Sequence, residues 1–439
     1  MLEKKTGVHV YINVKNFPRI IKKEENNSND LDHSLHALNT YFRSIEKKSH
    51  SLGIEIEKIT GSRLHLFIEG NYENDNGVTE KLYEISLFAV NASKKTNLIG
   101  KYQSIDKFEI HIGACDGDCY YYTFNDFDDD YEEITSIGYS ANVASKLEGC
   151  SYANTISLTY NLCLALKMLY PEISVTKGSE SFKKYGLNSY YLCNLSNIKV
   201  NLNSPEYNDI QTDANNVNLT DIEFEKFKKT INFDDLSIKK CKSGDAIILM
   251  VDIRGSTKMF ANDDINLEDM TFKMERFFRE TYSEVTRDGK GIHVQFQGDK
   301  EVSVFSPCYV QEAVIAAFKL KDLVEDIGFK CGIALNQGDI FASRIGVKSE
   351  KDSIIIGESV LECDRIEDEY ALAGEIVLSK DVYNTMIQND KCKGYSKFFE
   401  AVGGYYKTSK GYQEFFDSLA HSESEENYQK GNYNGAWSE

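Results

Sequence analysis

Positive charge is in short supply. The 439 residues carry 50 Lys plus Arg against 69 Asp plus Glu, a formal net charge of −19 at pH 7. Coating of DNA or RNA runs on clustered positive charge, so a general nucleic-acid-polymer role is excluded. Long apolar runs are missing too: no stretch approaches the roughly 18 residues that a membrane span needs. The ten cysteines are scattered, and the closest pair, Cys115 and Cys119, has no second pair at zinc-ligand spacing. Met1-Leu2-Glu3-Lys4-Lys5 does not read as a secretory leader, so the expectation is a cytoplasmic protein with reduced, mostly buried thiols. Hydrophobic residues at 41% and aromatics at 12% are enough for packed cores. The length is that of two or three domains.

What is present is an internal repeat. The strand Val8 to Val14, running into a turn, has a partner in Ile247 to Ile253 followed by Arg254-Gly255-Ser256-Thr257. Lys58-Ile59-Thr60-Gly61-Ser62, followed by alternating Leu64, Leu66 and Ile68, echoes Gln295-Phe296-Gln297-Gly298-Asp299, followed by Val302 and Val304. Ile112 to Asp118 matches Ile333 to Asp339, and Ile137 to Val143 matches Ile356 to Glu362. Equivalent residues lie 239 apart (Asn13 and Asp252), 237 (Ser62 and Asp299), 221 (Gly117 and Gly338) and 219 (Gly138 and Gly357). Four matches in one order, with a single step that one insertion explains, indicate two copies of one domain.

Each copy reads strand, helix, hairpin, helix, strand, then helix and further strands. In the second, Leu267, Met270, Met274, Phe277, Phe278 and Tyr282 recur at helical spacing, which predicts a core-facing helix over Leu267 to Val285. A hairpin turns at Gly298-Asp299. The βαββαβ order implies an α+β fold: two ferredoxin-like domains, with helices packed on a mostly antiparallel sheet, forming an intramolecular pseudo-dimer. The expected boundaries are 1–195 and 244–418 for the copies, 196–243 for the connector and 419–439 for a loose tail. Within the connector only Ile222 to Ile231 looks helical. The acidic run Asn125 to Glu133 lacks the glycine turn and terminal Glu of a calcium loop and reads as a solvated loop.

Asp252 ends a strand and Asp299 sits at the tip of the neighbouring hairpin, places that a βαββ unit brings together. Two converging carboxylates beside Gly255-Ser256-Thr257 at a helix start suit Mg²⁺ and a triphosphate. Mg²⁺ prefers few carboxylates plus phosphate oxygens, and free N–H groups at a helix start attract phosphate.

Asp252 to Thr257, Gln297-Gly298-Asp299 and the Gly357-to-Arg365 segment resemble the signatures of class III adenylyl and guanylyl cyclase catalytic domains. So do Lys58 to Ser62 and Gly138-Tyr139-Ser140-Ala141-Asn142-Val143-Ala144-Ser145-Lys146-Leu147-Glu148. The resemblance implies an active site between two such domains, one supplying metal aspartates and the other supplying base, ribose and phosphate contacts. The second copy keeps both metal positions, Asp252 and Asp299, with the Ile253 carbonyl as a further ligand to two Mg²⁺ or Mn²⁺ ions. The first has Asn13 and Ser62 there. Conversely, the first has Lys58 and Thr135 at the base-reading positions, Asn142 at the ribose position and Lys146 where the family has Arg. The second has Gln295, Ile354 and Leu361 at the corresponding places and retains Arg365. The resemblance thus implies one working site and one degenerate pseudo-site, where Arg365 is a candidate anion ligand. Lys183 or Lys184 are candidates for the terminal phosphates.

The implied activity is an adenylyl cyclase converting ATP to 3′,5′-cyclic AMP and pyrophosphate. Lys58 can donate to adenine N1 and Thr135 can accept from N6, whereas guanine would call for an acceptor where Lys58 stands. A cyclase for GTP or a pyrimidine nucleotide, and a non-catalytic nucleotide or anion sensor, remain as alternatives. No partner chain is required, since one chain holds both halves.

Overall fold

A computed structural model describes residues 3–25, 31–125, 132–178, 189–216, 223–233, 235–237, 240–260, 266–344 and 353–408. The tail 419–439, most of the acidic run, and Lys183 and Lys184 lie outside the described residues. The first copy comprises β1 (Glu3–Val14), α1 (Phe17–Glu25), α2 (Leu31–Leu52), β2 (Glu55–Thr60), β3 (Arg63–Glu69), α3 (Asn76–Leu98), β4 (Ile110–Asn125) and β5 (Glu132–Ile137). It continues with α4 (Tyr139–Gly149), β6 (Thr155–Leu158), α5 (Tyr160–Leu169), β7 (Ser174–Lys177) and β8 (Tyr191–Asn194). After α6 (Pro205–Asn215) and β9 (Glu223–Lys226) the same order returns. It runs β10 (Lys240–Ile253), α7 (Ser256–Phe260), α8 (Leu267–Thr286), β11 (Gly291–Gln297), β12 (Lys300–Phe305), α9 (Val310–Ile327), β13 (Cys331–Arg344) and β14 (Ser353–Ile356). It ends with α10 (Glu358–Tyr370), β15 (Ile376–Leu378), α11 (Lys380–Gln388), β16 (Phe399–Val402) and β17 (Tyr405–Thr408).

The two sheets have the same strand order, β2-β3-β1-β4-β6-β8-β7 and β11-β12-β10-β13-β15-β17-β16. Registers agree to the residue: Asn13 pairs with Arg63 and His111 as Asp252 pairs with Lys300 and Gly332. Both hairpins carry a bulge at the same place, between Ile56 and Lys58 and between His293 and Gln295. Within these two strand orders neighbours pair antiparallel except where a helix crosses over, β4 to β6 and β13 to β15; β9, off the path, adds a parallel pair with β10.

Alternation along the first strand of each copy assigns the faces. Val8, Val10, Ile12 and Val14 are fully buried in a core with Leu38, Phe42, Leu82 and Ile85 of α2 and α3. His9, Tyr11 and Asn13 face the other way, toward α4 and the second copy. In the second copy, Met274, Phe277 and Phe278 form the buried stripe of α8, whose first turn is capped by the Asn266 side chain accepting from the Glu268 and Asp269 amides. Close approach of α4 to β4 depends on Gly113, where a Cβ would stand 2.1 Å from the Glu148 amide nitrogen.

The copies interlock reciprocally. Tyr120, Tyr122 and Ile137 of the β4–β5 hairpin enter the second core, with the Tyr122 ring stacked 4.8 Å from Phe278. Phe341, Ile354 and Ile356 of the β13–β14 hairpin enter the first. Ile354 is therefore a core residue rather than part of a binding surface.

The connector departs from expectation. Its helix is α6, whose Tyr207, Ile210 and Ala214 pack into the first core, while Glu223–Lys226 within the stretch expected to be helical forms β9, parallel to β10. Eight of the ten cysteines are buried and all are free. Among the described residues no helix is long and apolar enough to cross a membrane.

Candidate functional site

Asp252 is the penultimate residue of β10 and pairs with Lys300, so Asp299, immediately before Lys300 at the hairpin turn, comes to lie beside it. Gly298 makes that turn with φ +67°, a conformation that other residues adopt only with strain. Facing them across a cleft of about 420 Å³ are Asn142 and Lys146 on α4 and Lys58 on β2; Ile253, Gly255 and Ser256 complete the near wall. Lys58 and Asp299 stand 241 positions apart in the sequence, and the interlock of the copies brings them to one cleft. Thr257 lies in α7, a single turn that offers backbone N–H groups rather than a helix dipole.

The two aspartates repel. Burial, then the nearby Glu367 and Asp299 carboxylates, push the Asp252 carboxyl well above its ordinary 3.8. Asp299 is also raised by burial, although a hydrogen bond from Ser256 opposes the shift. Asp299 Oδ2 is buried with no hydrogen-bond partner. Surplus buried negative charge with an unsatisfied oxygen fits a divalent cation with oxygen ligands, and Asp252, Asp299 and the Ile253 carbonyl are the groups that would hold it.

A second tier of charge orders this pair. Glu367 on α10 is 1% exposed and takes an ion pair from Lys300 Nζ at 2.6 Å and another from Arg254. Lys300 also reaches Asp364 at 2.7 Å, and Arg254 Nη1 lies 3.2 Å from Asp252 Oδ2. The first copy repeats the arrangement: buried Glu148 meets Arg63 at 2.6 Å and Lys15 at 3.6 Å. Arg63 is the repeat equivalent of Lys300, Lys15 of Arg254, and Glu148 of Glu367. Extending the repeat alignment by one to five residues would have found all of them.

Where the second copy has its aspartates, the first is closed by hydrogen bonds. Ser62 Oγ donates to Asn13 Oδ1 at 3.0 Å, and Asn13 Nδ2 donates to Glu148 Oε1 at 3.0 Å. Burial alone would raise the Glu148 carboxyl, but Arg63, Lys15 and Asn13 together lower it below its ordinary 4.5. A depressed folded value stabilises the fold above 4.5, and that contribution is lost as pH falls through the folded value. Glu148→Gln should therefore lower the thermal midpoint at neutral pH, with the difference from wild type shrinking as the pH is taken below 4.5 through the folded value.

No protein-family model matches the sequence. A 126-residue segment, 27% of the chain, is 27% identical to uncharacterised proteins of Mycobacterium tuberculosis and Mycobacterium bovis, and it spans 23% of their length. A class III adenylyl cyclase-like ATP-binding protein from Pseudomonas aeruginosa is similar over 95% of this chain and 91% of its own, with a TM-score of 0.66 at 18% identity. The chain has the class III nucleotidyl cyclase fold. The adenylyl cyclase CyaB of P. aeruginosa is similar over 46% of this chain and 97% of its own, with a TM-score of 0.37 at 18% identity.

Within this cyclase fold, some expected site residues stand elsewhere than the sequence suggested. Thr135 is 1% exposed and turned to the Gly298 backbone, whose amide donates to Thr135 Oγ1 at 3.0 Å; it does not line the cleft. The packing of β5 against the hairpin tip takes up its hydroxyl, and Ser136 is the β5 residue on the cleft wall. Lys58 lines the cleft with its ammonium bonded to the Phe296 carbonyl. Lys146 pairs with Asp368 of α10 at 3.3 Å, across the copies.

Arg365 is a correction. Its guanidinium forks onto Glu362 at 2.7 and 2.9 Å, reaches Tyr370 and Tyr405, and does not line the pseudo-site. A half-exposed arginine with acidic neighbours three and four residues away on its own helix pairs locally before it serves a distant anion. The pseudo-site, beside Asn13, Ser62 and Gln295, is a pocket of about 90 Å³ with Val360 and Leu361 on its wall, too small for a nucleoside triphosphate.

Proposed function

We propose that the chain is an adenylyl cyclase with one active site, in the cleft between its copies, that converts ATP to 3′,5′-cyclic AMP and pyrophosphate. The observation that carries this reading is the convergence of Asp252 and Asp299, with an unpartnered buried carboxylate oxygen, opposite Asn142 and Lys146. Two Mg²⁺ or Mn²⁺ ions held by Asp252, Asp299 and the Ile253 carbonyl would neutralise the triphosphate and acidify the ribose 3′-hydroxyl that attacks the α-phosphorus.

The chain's own residues do the positioning on which phosphoryl transfer depends. Asn142 orients the ribose. Lys146, exchanging Asp368 for the substrate, meets the charge that grows on the α-phosphate. A lysine there is a point charge where arginine offers a planar fork, so turnover is slower than with arginine. Lys300 and Arg254 act through Glu367 and Asp252 and are positioning residues. One chain supplies both halves of the site, so the reaction does not require a second copy.

The test is an assay of all four nucleoside triphosphates with Mg²⁺ or Mn²⁺ and mass analysis of the products. Cyclic AMP and pyrophosphate from ATP support the reading. ATP binding without turnover would replace it with a silent nucleotide sensor, a reading favoured by the existing partners of Lys146 and Asp252. For base choice, Lys58→Glu should move the ATP-to-GTP preference by roughly 5- to 150-fold, the scale of one mismatched buried hydrogen bond. An unchanged ratio of kcat/KM values would remove Lys58 from base recognition.

A further inference from the structure

On the first copy's wall of the cleft, three adjacent strands bring together side chains for which the cyclase reading has no use. His9 on β1 points away from the Val8, Val10 and Ile12 core. Its Nδ1 lies 2.9 Å from His65 Nε2 on β3, and His65 Nδ1 lies 3.2 Å from Glu57 Oε1 in the β2 bulge. His9 is 0% exposed, and the His65 and Glu57 side chains are 6% and 2% exposed. His9 Nε2 and Glu57 Oε2 are buried without hydrogen-bond partners, and one ligand atom from each of the three residues lies within 4.8 Å of the others.

The second copy shows that the fold does not require this cluster. The equivalents of His9, Glu57 and His65 are Ile248, Val294 and Val302, which pack together in an apolar cluster. Burying two imidazoles and a carboxylate instead is unfavourable unless they are paired with something. The three are also held in place from outside. The Tyr11 ring stacks on His65 at 4.1 Å, Phe67 packs 4.9 Å from His9, and the Ser136 amide donates to Glu57 Oε1 at 2.7 Å. Outer contacts of this kind orient metal ligands.

We propose that His9, Glu57 and His65 form a transition-metal site for Zn²⁺ or a similar divalent ion, separate from the Asp252 and Asp299 pair. Two imidazoles and one carboxylate are a donor set that zinc takes with a further position open, whereas Mg²⁺ prefers oxygen alone. A transition metal takes its imidazoles in the neutral form and its carboxylate ionised. Ligands 2.0–2.1 Å from a tetrahedral centre stand about 3.3 Å apart; His65 faces His9 through Nε2 and Glu57 through Nδ1, so one ion takes one of those nitrogens and the three ligand atoms, within 4.8 Å of one another, must draw in around it. Glu57 and His65 line the cleft, which gives the ion its entry.

The test titrates Co²⁺, a spectroscopic substitute for Zn²⁺, into the full-length Asp252→Asn chain with excess Mg²⁺ present. One Co²⁺ per chain, with the visible absorption of a low-symmetry nitrogen and oxygen site, is expected. Zn²⁺ should displace it and raise the thermal midpoint. His65→Gln and Glu57→Gln should each lose that absorption. The triple change His9→Ile, Glu57→Val and His65→Val, which copies the second domain, supplies a folded chain without the donors, its folding checked by circular dichroism. Equal Co²⁺ binding by the triple variant and its parent, or none by either, would overturn the proposal and leave a buried hydrogen-bond chain. The readout is binding, so it stands or falls independently of cyclase activity.

Discussion

Asp252→Asn is expected to abolish cyclic AMP formation while leaving the chain folded and somewhat more heat-stable in the absence of metal. Asparagine keeps the shape of aspartate and removes one of the charges crowded together at Asp252, Asp299 and Glu367. That crowding is what raises the Asp252 carboxyl after burial itself. Removing it relieves repulsion in the metal-free protein, and each kcal/mol gained moves the thermal midpoint by roughly 2–4 °C in a domain of this size. Catalysis moves the other way. A metal ligand whose transition-state charge stabilisation is worth several kcal/mol should cost on the order of 10³-fold or more in kcat/KM. The Mg²⁺-induced rise in thermal midpoint should shrink in parallel. Activity within a few-fold of wild type in Asp252→Asn would remove the metal pair from the mechanism.

Lys300→Met should give the largest loss of stability. Lys300 is the common cation of Glu367 at 2.6 Å and Asp364 at 2.7 Å, with its own side chain only 13% exposed. Methionine keeps the packing of the stem and leaves a buried carboxylate short of its partner, which costs about 3–5 kcal/mol. Adding Glu367→Gln removes the stranded charge, so the double variant should recover much of that loss, and the double-mutant cycle gives the coupling directly. Additive penalties in denaturant titrations would show that the pair is not coupled. Lys300 also holds the Asp252 carboxyl down, so its loss should weaken Mg²⁺ binding even in chains that remain folded.

Much of this was legible in the sequence because the repeat carries its own control. Asn13 against Asp252, and Ser62 against Asp299, are differences at places where everything around them matches. The strand registers reproduce those pairings residue for residue. The buried faces were readable from periodicity alone, as with Met270, Met274, Phe277 and Phe278 on α8. Thr135 and Arg365 were not readable, for one physical reason. Each was assigned by position, and each side chain found a nearer partner: the Gly298 amide for Thr135, and Glu362 with Tyr405 for Arg365. Local hydrogen bonds of this kind depend on which atoms lie within 3 Å, and strand order does not give that.

The sequence by itself determined that there are two unlike copies, that each folds as an α+β unit, and which copy keeps the paired carboxylates Asp252 and Asp299. Those are matters of pattern, and hydrophobic alternation and turn residues are local. Only the tertiary structure decided how the hairpins exchange cores, and that exchange carries Asn142, Lys146 and Lys58 across to Asp252 and Asp299. It also showed that Glu148 and Glu367 each gather buried ion pairs within their own copy. It also placed His9, Glu57 and His65 side by side, because separate strands aim three scattered residues at one point only after the sheet has formed.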